Sequence, residues 1–325
     1  MSSIAGTSLD GRPVPPRVAC VGECMVELVE QPDGTLTRGF GGDTLNTAIY
    51  LARLGCAVDY ATALGDDPFS DAMLRAWRAE GVGTELVLRL PGGLPGLYIV
   101  QTDATGERRF SHWRDSAPAR RLLSLPDSDD VCAALASYDV VYLSGITLSL
   151  YPPADRERLF TALDAARAAG ARIAFDTNFR ARGWPDQAVG RAAYAAMLAR
   201  TDIAFAGLDD LTPLFGFDEA AAWAFLRHSS VTERILKLPS YACRAQADGV
   251  ETRVAPLPVA DVVDTTAAGD SFAAGYLAAR LTGQTVEHAA RAGHDLAGCV
   301  IRHRGAIIDA AHMPRTLNGV HVRHI

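Results

Sequence analysis

Asp264-Thr265-Thr266-Ala267-Ala268-Gly269-Asp270 runs without a break into the apolar helical pattern of residues 271–281, setting a small-residue loop against the start of a helix. Small side chains at 267–269 let backbone N–H groups turn toward one point. The helix adds positive potential there, so an anion is held without any cationic side chain. A carboxylate in such a seat is repelled by phosphate, which suggests that Asp270 has another task. It reads as a base that takes the proton of an attacking hydroxyl while the amides hold the transferred group. The same residues also fit an Asp capping a helix behind a glycine turn.

Upstream of this loop the chain alternates strands and helices. Residues 18–22 read as a strand, 44–55 as an amphipathic helix, 59–64 as a strand and 67–81 as a helix. The rhythm returns with helix 131–137, strand 140–144, helix 155–170, strand 172–176, helix 187–199 and strand 203–206. Such alternation predicts an α/β fold: a doubly wound, mainly parallel sheet covered by helices on both faces, with active groups at the strand carboxyl ends. Two segments depart from it. Residues 25–40, around Gln31-Pro32-Asp33-Gly34, and 96–113, around Asp103-Ala104-Thr105-Gly106, read as hairpins. They are expected to meet as a small β-sheet lid over the site, within one domain spanning 17–325. A lid excludes the water that competes with a hydroxyl for a phosphoryl group.

Composition excludes several classes. A 325-residue chain that is 49% hydrophobic and 21% charged is an ordinary globular sequence. Its net charge of -7 argues against a nucleic-acid partner, so an anionic substrate must meet a local arginine cluster. No run approaches the roughly 18 apolar residues of a membrane span, and residues 1–16 read as a loose tail on a cytoplasmic protein. Cysteines at 20, 24, 56, 132, 243 and 299 form no CxxC pair and read as reduced thiols; neither they nor the eight histidines show metal-ligand spacing.

Three further constellations carry candidate chemistry. Gly41-Gly42-Asp43-Thr44-Leu45-Asn46 brings a flexible backbone, a carboxylate and an amide to a helix start, suited to sugar hydroxyls or to plain N-capping. His112-Trp113-Arg114-Asp115 supplies an aromatic face and a guanidinium. Asp176-Thr177-Asn178-Phe179-Arg180 closes an apolar strand, where Arg180 is placed to grip a phosphate or carboxylate, or simply to stand in a polar loop. Lys237, the only lysine among 31 basic residues, ends another apolar run; its compact charge fits a nucleotide phosphate, and chance retention fits equally.

Gly41-Gly42 near the start and residues 264–272 near the end resemble, in that order, the two signature regions of the ribokinase-like carbohydrate kinases, the PfkB family. Within it the chain is most similar to the 2-keto-3-deoxygluconate kinases. Residues 22–28, 41–48, Trp113-Arg114, Leu208-Asp209-Asp210, the double-alanine loop and residues 304–308 carry that likeness, which covers about 17–314. The resemblance implies a ribokinase-like sheet with a β lid, and ATP-dependent phosphorylation of the sugar acid's C6 hydroxyl with Mg²⁺ or another divalent cation. It leaves a sister kinase for fructose or another ketose, or a weakly active sugar-binding paralogue, as alternatives. It assigns substrate to Gly41, Gly42, Asp43, Thr44, Leu45, Tyr98, His112, Trp113, Arg114 and Arg180. The base falls to Asp270, the γ-phosphate to the amides of Ala267, Ala268 and Gly269, and the nucleotide to Asn178, Lys237 and the helix around His294. Asp270 needs no raised pKa for this chemistry if the proton leaves late. An exposed lid sheet also favours a homo-oligomer. Two departures stand out: residues 238–242 lack the glycines usual after the lysine, and His112 replaces a usual tyrosine, admitting charge near neutral pH.

Overall fold

The computed structural model describes residues 14–31, 33–102, 108–317 and 320–322; the expected tail lies outside these apart from 14–16, as does the 103–106 turn. The first half runs β1 (Arg17–Val21), β2 (Met25–Glu30), β3 (Leu36–Gly41), α1 (Asp43–Arg53), β4 (Ala57–Gly65), α2 (Pro68–Ala79), β5 (Val82–Gly83), β6 (Val87–Leu90), β7 (Leu97–Thr102) and β8 (Arg108–Trp113). It continues through α3 (Ser128–Ala134), β9 (Val140–Ser144), α4 (Gly145–Leu150), α5 (Pro153–Ala168), β10 (Arg172–Asp176), α6 (Gln187–Leu198), β11 (Ile203–Gly207), α7 (Leu208–Phe215) and α8 (Glu219–His228). The last elements used here are β12 (Glu233–Lys237), β13 (Cys243–Ala247), β14 (Val250–Val254), α9 (Ala268–Leu281) and α10 (Val286–Val300).

Ten strands form one sheet, ordered β14-β13-β12-β11-β10-β9-β1-β4-β5 with β6 beside β4. Every pairing from β12 to β6 is parallel, and β13 and β14 add an antiparallel edge. β9 and β11 are buried along their whole length, as strands covered on both faces must be. Alternate residues feed opposite cores: Val18, Cys20, Val140 and Tyr142 pack on one side, Ala19, Val21, Val141 and Leu143 on the other. The order reverses at β1, between β9 and β4, and side chains leaving the carboxyl ends of β1, β9, β10, β11 and β12 converge on the crevice there. α9 is buried from Ser271 to Leu281, a helix apolar all round and packed between α1 and α10. α2 begins where its sequence signals it, with the Asp67 carboxylate accepting from Phe69 N at 2.8 Å and Ser70 N at 3.2 Å.

The two hairpins meet as expected. Their sheet is ordered β3-β2-β7-β8, with β2 and β7 parallel. Register places Glu27 beside Tyr98 and Tyr98 beside His112, one row across one face. All six cysteines are free, four of them buried.

The glycine-free loop after β12 still closes: Leu238 N donates to Ala242 O and Tyr241 N to Leu238 O, both at 2.9 Å. The left-handed position that glycine would take falls to Tyr241, at φ 62° and 76% exposed. Since a β-carbon is strained there, Tyr241→Gly is expected to raise the melting temperature by about 1–3 °C while Tyr241→Ala gives no gain. Thermal unfolding of the three proteins checks this; equal temperatures for Gly and Ala would refute the strain.

Candidate active site

The loop before α9 is fixed by Asp264, which is buried and accepts from Thr266 N at 2.9 Å and, across the fold, from Gly305 N at 2.7 Å. Ala267 takes a left-handed turn at φ 60° as the helix N-cap. That turn sends the first-turn amides outward. Among the described residues, those of Gly269 and Asp270 take no backbone acceptor.

Asp270 is the third residue of the helix. Its Oδ2 accepts from Asn46 Nδ2 at 2.8 Å, which leaves Oδ1 for the cleft, and its carbonyl accepts from Thr47 Oγ1 at 3.2 Å. Burial pushes the carboxyl up to about 7; Asp43 and Asp176 add to the rise, while the Asn46 bond and Lys237 oppose it. The chemistry does not require this rise; it comes from the surroundings. Carboxylates from α1 and β10 gather around Asp270, and no local pattern announces them.

Asp43 and Asn46, three apart in the first turn of α1, share the face toward the cleft. Asp43 Oδ2 accepts from Asn178 Nδ2 at 2.7 Å, so Asn178 is turned toward the sugar-side motif. Thr44 and Leu45 face inward instead: both are fully buried, Thr44 against the Tyr60 hydroxyl at 2.9 Å. Gly41 and Gly42 are sites of close approach, since a Cβ at 41 would strike the Tyr98 hydroxyl and one at 42 the carbonyl of Glu23.

The lid row completes this end. Tyr98 hydrogen-bonds Glu27 and stacks on His112 with ring centroids 5.7 Å apart. His112 is held below its usual pKa by burial and by Arg114 and Arg182, which favours the neutral donor or acceptor over the charge that a histidine admits near neutral pH. Arg114, two residues on, shares that face and pairs with Glu23, whose side chain is 1% exposed. Trp113 lies between them, points to the opposite face and is 58% exposed.

At the other end Lys237 Nζ lies 2.8 and 3.1 Å from the two oxygens of Asp176, and 3.5 Å from where a Cβ on Gly269 would stand. Lys237 thus reaches the start of α9. Asp210 accepts from Thr177 Oγ1 at 2.8 Å and Phe179 N at 2.9 Å, and Arg180 stands 3.6 Å from it. His294 does not join them: it is buried against Phe272 and hydrogen-bonds Val254 O at 3.2 Å.

One cleft of about 1390 Å³ therefore collects Gly41, Gly42, Asp43, Tyr98, His112, Arg114, Asn178, Arg180, Lys237 and residues 267–270. Of the expected site residues, Thr44, Leu45, Trp113 and His294 are outside its lining. Sequence reading gave no role to Glu23, Asp176 or Asp210, which all line it, and set Asn46 toward sugar hydroxyls where it instead holds Asp270. The i, i+3 spacing of Asp43 and Asn46, and an acid closing the apolar strand β10, were the available signals.

Residues 15–313 match the model of the pfkB family carbohydrate kinases. The 2-dehydro-3-deoxygluconokinase of Dickeya dadantii is 48% identical over 307 residues, covering 91% of this chain and 98% of that protein. A fructokinase of Vibrio alginolyticus is 28% identical over 264 residues, covering 81% and 83%. In structure, the 2-dehydro-3-deoxygluconokinase of Thermotoga maritima superposes with a TM-score of 0.76 at 20% identity, covering 90% of this chain and 96% of that one. The polar cleft, with the start of α9 and its carboxylate on one wall, thus stands on a chain that belongs to the pfkB family of carbohydrate kinases.

Proposed function

We propose that the protein transfers the γ-phosphoryl group of ATP to the C6 hydroxyl of 2-keto-3-deoxygluconate. The observation that carries this is Asp270, held by Asn46 at the start of α9 in a cleft that four arginines also line. The 48% identity to a kinase of that name, against 28% to a fructokinase, supports the substrate.

On this reading the terminal hydroxyl lies against Asp270 Oδ1, its oxygen forms the new bond to the γ-phosphorus, and the bond to the β-bridging oxygen breaks. The proton passes to Asp270 and ADP departs. The Gly269 amide and the Lys237 ammonium face the charge that develops on the transferred group, whereas the Ala268 amide, expected to share that task, is taken by Thr265 O at 3.2 Å. Tyr98, neutral His112 and Asp43 bond the sugar, and the four-stranded sheet closes over it as a lid. A divalent cation such as magnesium would supply neutralisation of phosphate charge when bound, and exposed Asp209 on the cleft wall would hold its water shell. Leu36 and Trp113, apolar and exposed on the small sheet, support an oligomer formed through it.

An ADP-release assay with MgATP and 2-keto-3-deoxygluconate, its galactonate epimer, fructose and ribose tests the reading. Selective turnover of the keto acids is the expected result. Turnover of a neutral sugar alone would replace the substrate, and none at all would remove the activity.

The pH dependence has a definite sign. Asp270 accepts a proton only when ionised, so kcat/KM for the sugar acid is expected to fall with one-proton slope as pH drops through about 7 and to level off above it. A profile flat down to pH 5.5 would contradict Asp270 as the titrating base.

A further inference from the structure

Four arginines line the cleft, at 114, 120, 180 and 182. Arg114 pairs with buried Glu23, while Arg180 is exposed, donates to Phe179 O at 2.8 Å and stands 3.6 Å from Asp210. Arg120 and Arg182 carry no ion pair among the described residues. They differ in setting. Arg182 is exposed on the short turn Ala181–Gly183, where water screens it. Arg120 is half-buried on the 3₁₀ turn Pro118–Ser124, which Pro118, Ala119, Leu122 and Leu123 bury in the core. Backbone bonds from Ala117 N to Arg114 O at 3.2 Å and from Arg120 N to Ala117 O at 3.1 Å tie the two arginines into one stiff run.

We propose that Arg120 is a specificity residue, the uncommitted half-buried cation that reads the carboxylate of a sugar acid at the lid end of the cleft. Its setting supports it. Arg114, Arg120 and Arg182 line that end together with Glu23, Asp43 and the exposed Asp115, and of the three arginines Arg120 is the one that is half-buried without an ion pair among the described residues. The same field is felt by the neighbours: burial pushes Glu23 up while Arg114 and then Arg120 pull it back, and His112 is held down by burial, Arg114 and Arg182. Arg114, with Glu23 occupying one side of its guanidinium, is left to orient the substrate, and the free fork of Arg120 supplies the bidentate, charge-assisted contact.

This assignment rests on the sugar-acid reading above, and the test separates the two. Arg120→Gln is expected to raise KM for 2-keto-3-deoxygluconate about 10- to 100-fold with kcat within about threefold and KM for ATP unchanged. Arg120→Lys recovers part of that loss, because the charge returns without the fork. Raising ionic strength weakens sugar-acid binding more in wild type than in Arg120→Gln. A Gln variant with wild-type KM, or a loss that falls on kcat and is not eased by Lys, would overturn the role of Arg120. A wild-type enzyme with no keto-acid turnover would instead overturn the functional reading, and this assignment with it.

Discussion

Asp270→Asn is expected to lower kcat by about 10³–10⁴ while leaving KM for the sugar within a few-fold, because the variant keeps the shape and loses only the proton acceptor. Asn46 Nδ2 still finds an oxygen at 2.8 Å, so the side chain stays in place. A second readout is independent of turnover. The folded-state pKa of Asp270 is raised from 3.8 to about 7, so the protonated form is the stable partner of the fold, and that stability drains away as pH rises through this window. Above about 7 the wild type holds an ionised carboxylate among Asp43 and Asp176; the variant does not. The melting temperature of Asp270→Asn relative to wild type is therefore expected to increase from pH 5 to pH 8. Loss of less than tenfold in kcat would remove Asp270 as the base, and a pH-independent difference in melting temperature would remove the carboxylate crowding.

The periodic parts of this architecture were legible from residue order. β9 and β10 begin and end where their apolar runs do, and the hairpins at 25–40 and 96–113 join through β2 and β7, as their interruption of the α/β rhythm implied. The helix start behind the small residues 267–269 and the cleft position of the acid after it were legible too, since small residues, a helix start and a carboxylate occur in one short stretch. What could not be read are pairings across long separations. Asp270 meets Asn46 from 224 positions away, Asn178 meets Asp43 from 135, and Arg114 meets Glu23 from 91. The rise in the Asp270 pKa belongs to this class, because it depends on burial and on carboxylates delivered by other elements. Side-chain facing explains the rest. Within the first turn of α1 Asp43 and Asn46 turn to the cleft while Thr44 and Leu45 turn to the core, and on β8 the period of two sends Trp113 away from the face shared by His112 and Arg114.

Lys237 separates a structural role from a chemical one, and Lys237→Met is expected to impair both. Asp176 is 4% exposed and Lys237 25%, so removing the ammonium strands a carboxylate that burial already pushes above its usual range. Breaking such a pair costs about 3–5 kcal/mol. The deficit has a pH signature: with no cation the folded Asp176 favours its neutral form more strongly, so the loss is expected to shrink as pH is lowered. In wild type the pair persists through neutral pH, because burial pulls the lysine down but Asp176 and Asp210 more than offset it and leave its pKa raised. The ammonium also stands beside the seat at Gly269, and its loss is expected to reduce kcat/KM for ATP about 10²–10³-fold. The double variant Asp176→Asn, Lys237→Met divides these effects. Removing both charges is expected to bring stability back to within about 1 kcal/mol of wild type without restoring turnover. Recovery of activity together with stability would reduce Lys237 to a counter-ion for Asp176, whereas stability recovered with activity still lost places its charge at the transferred phosphate.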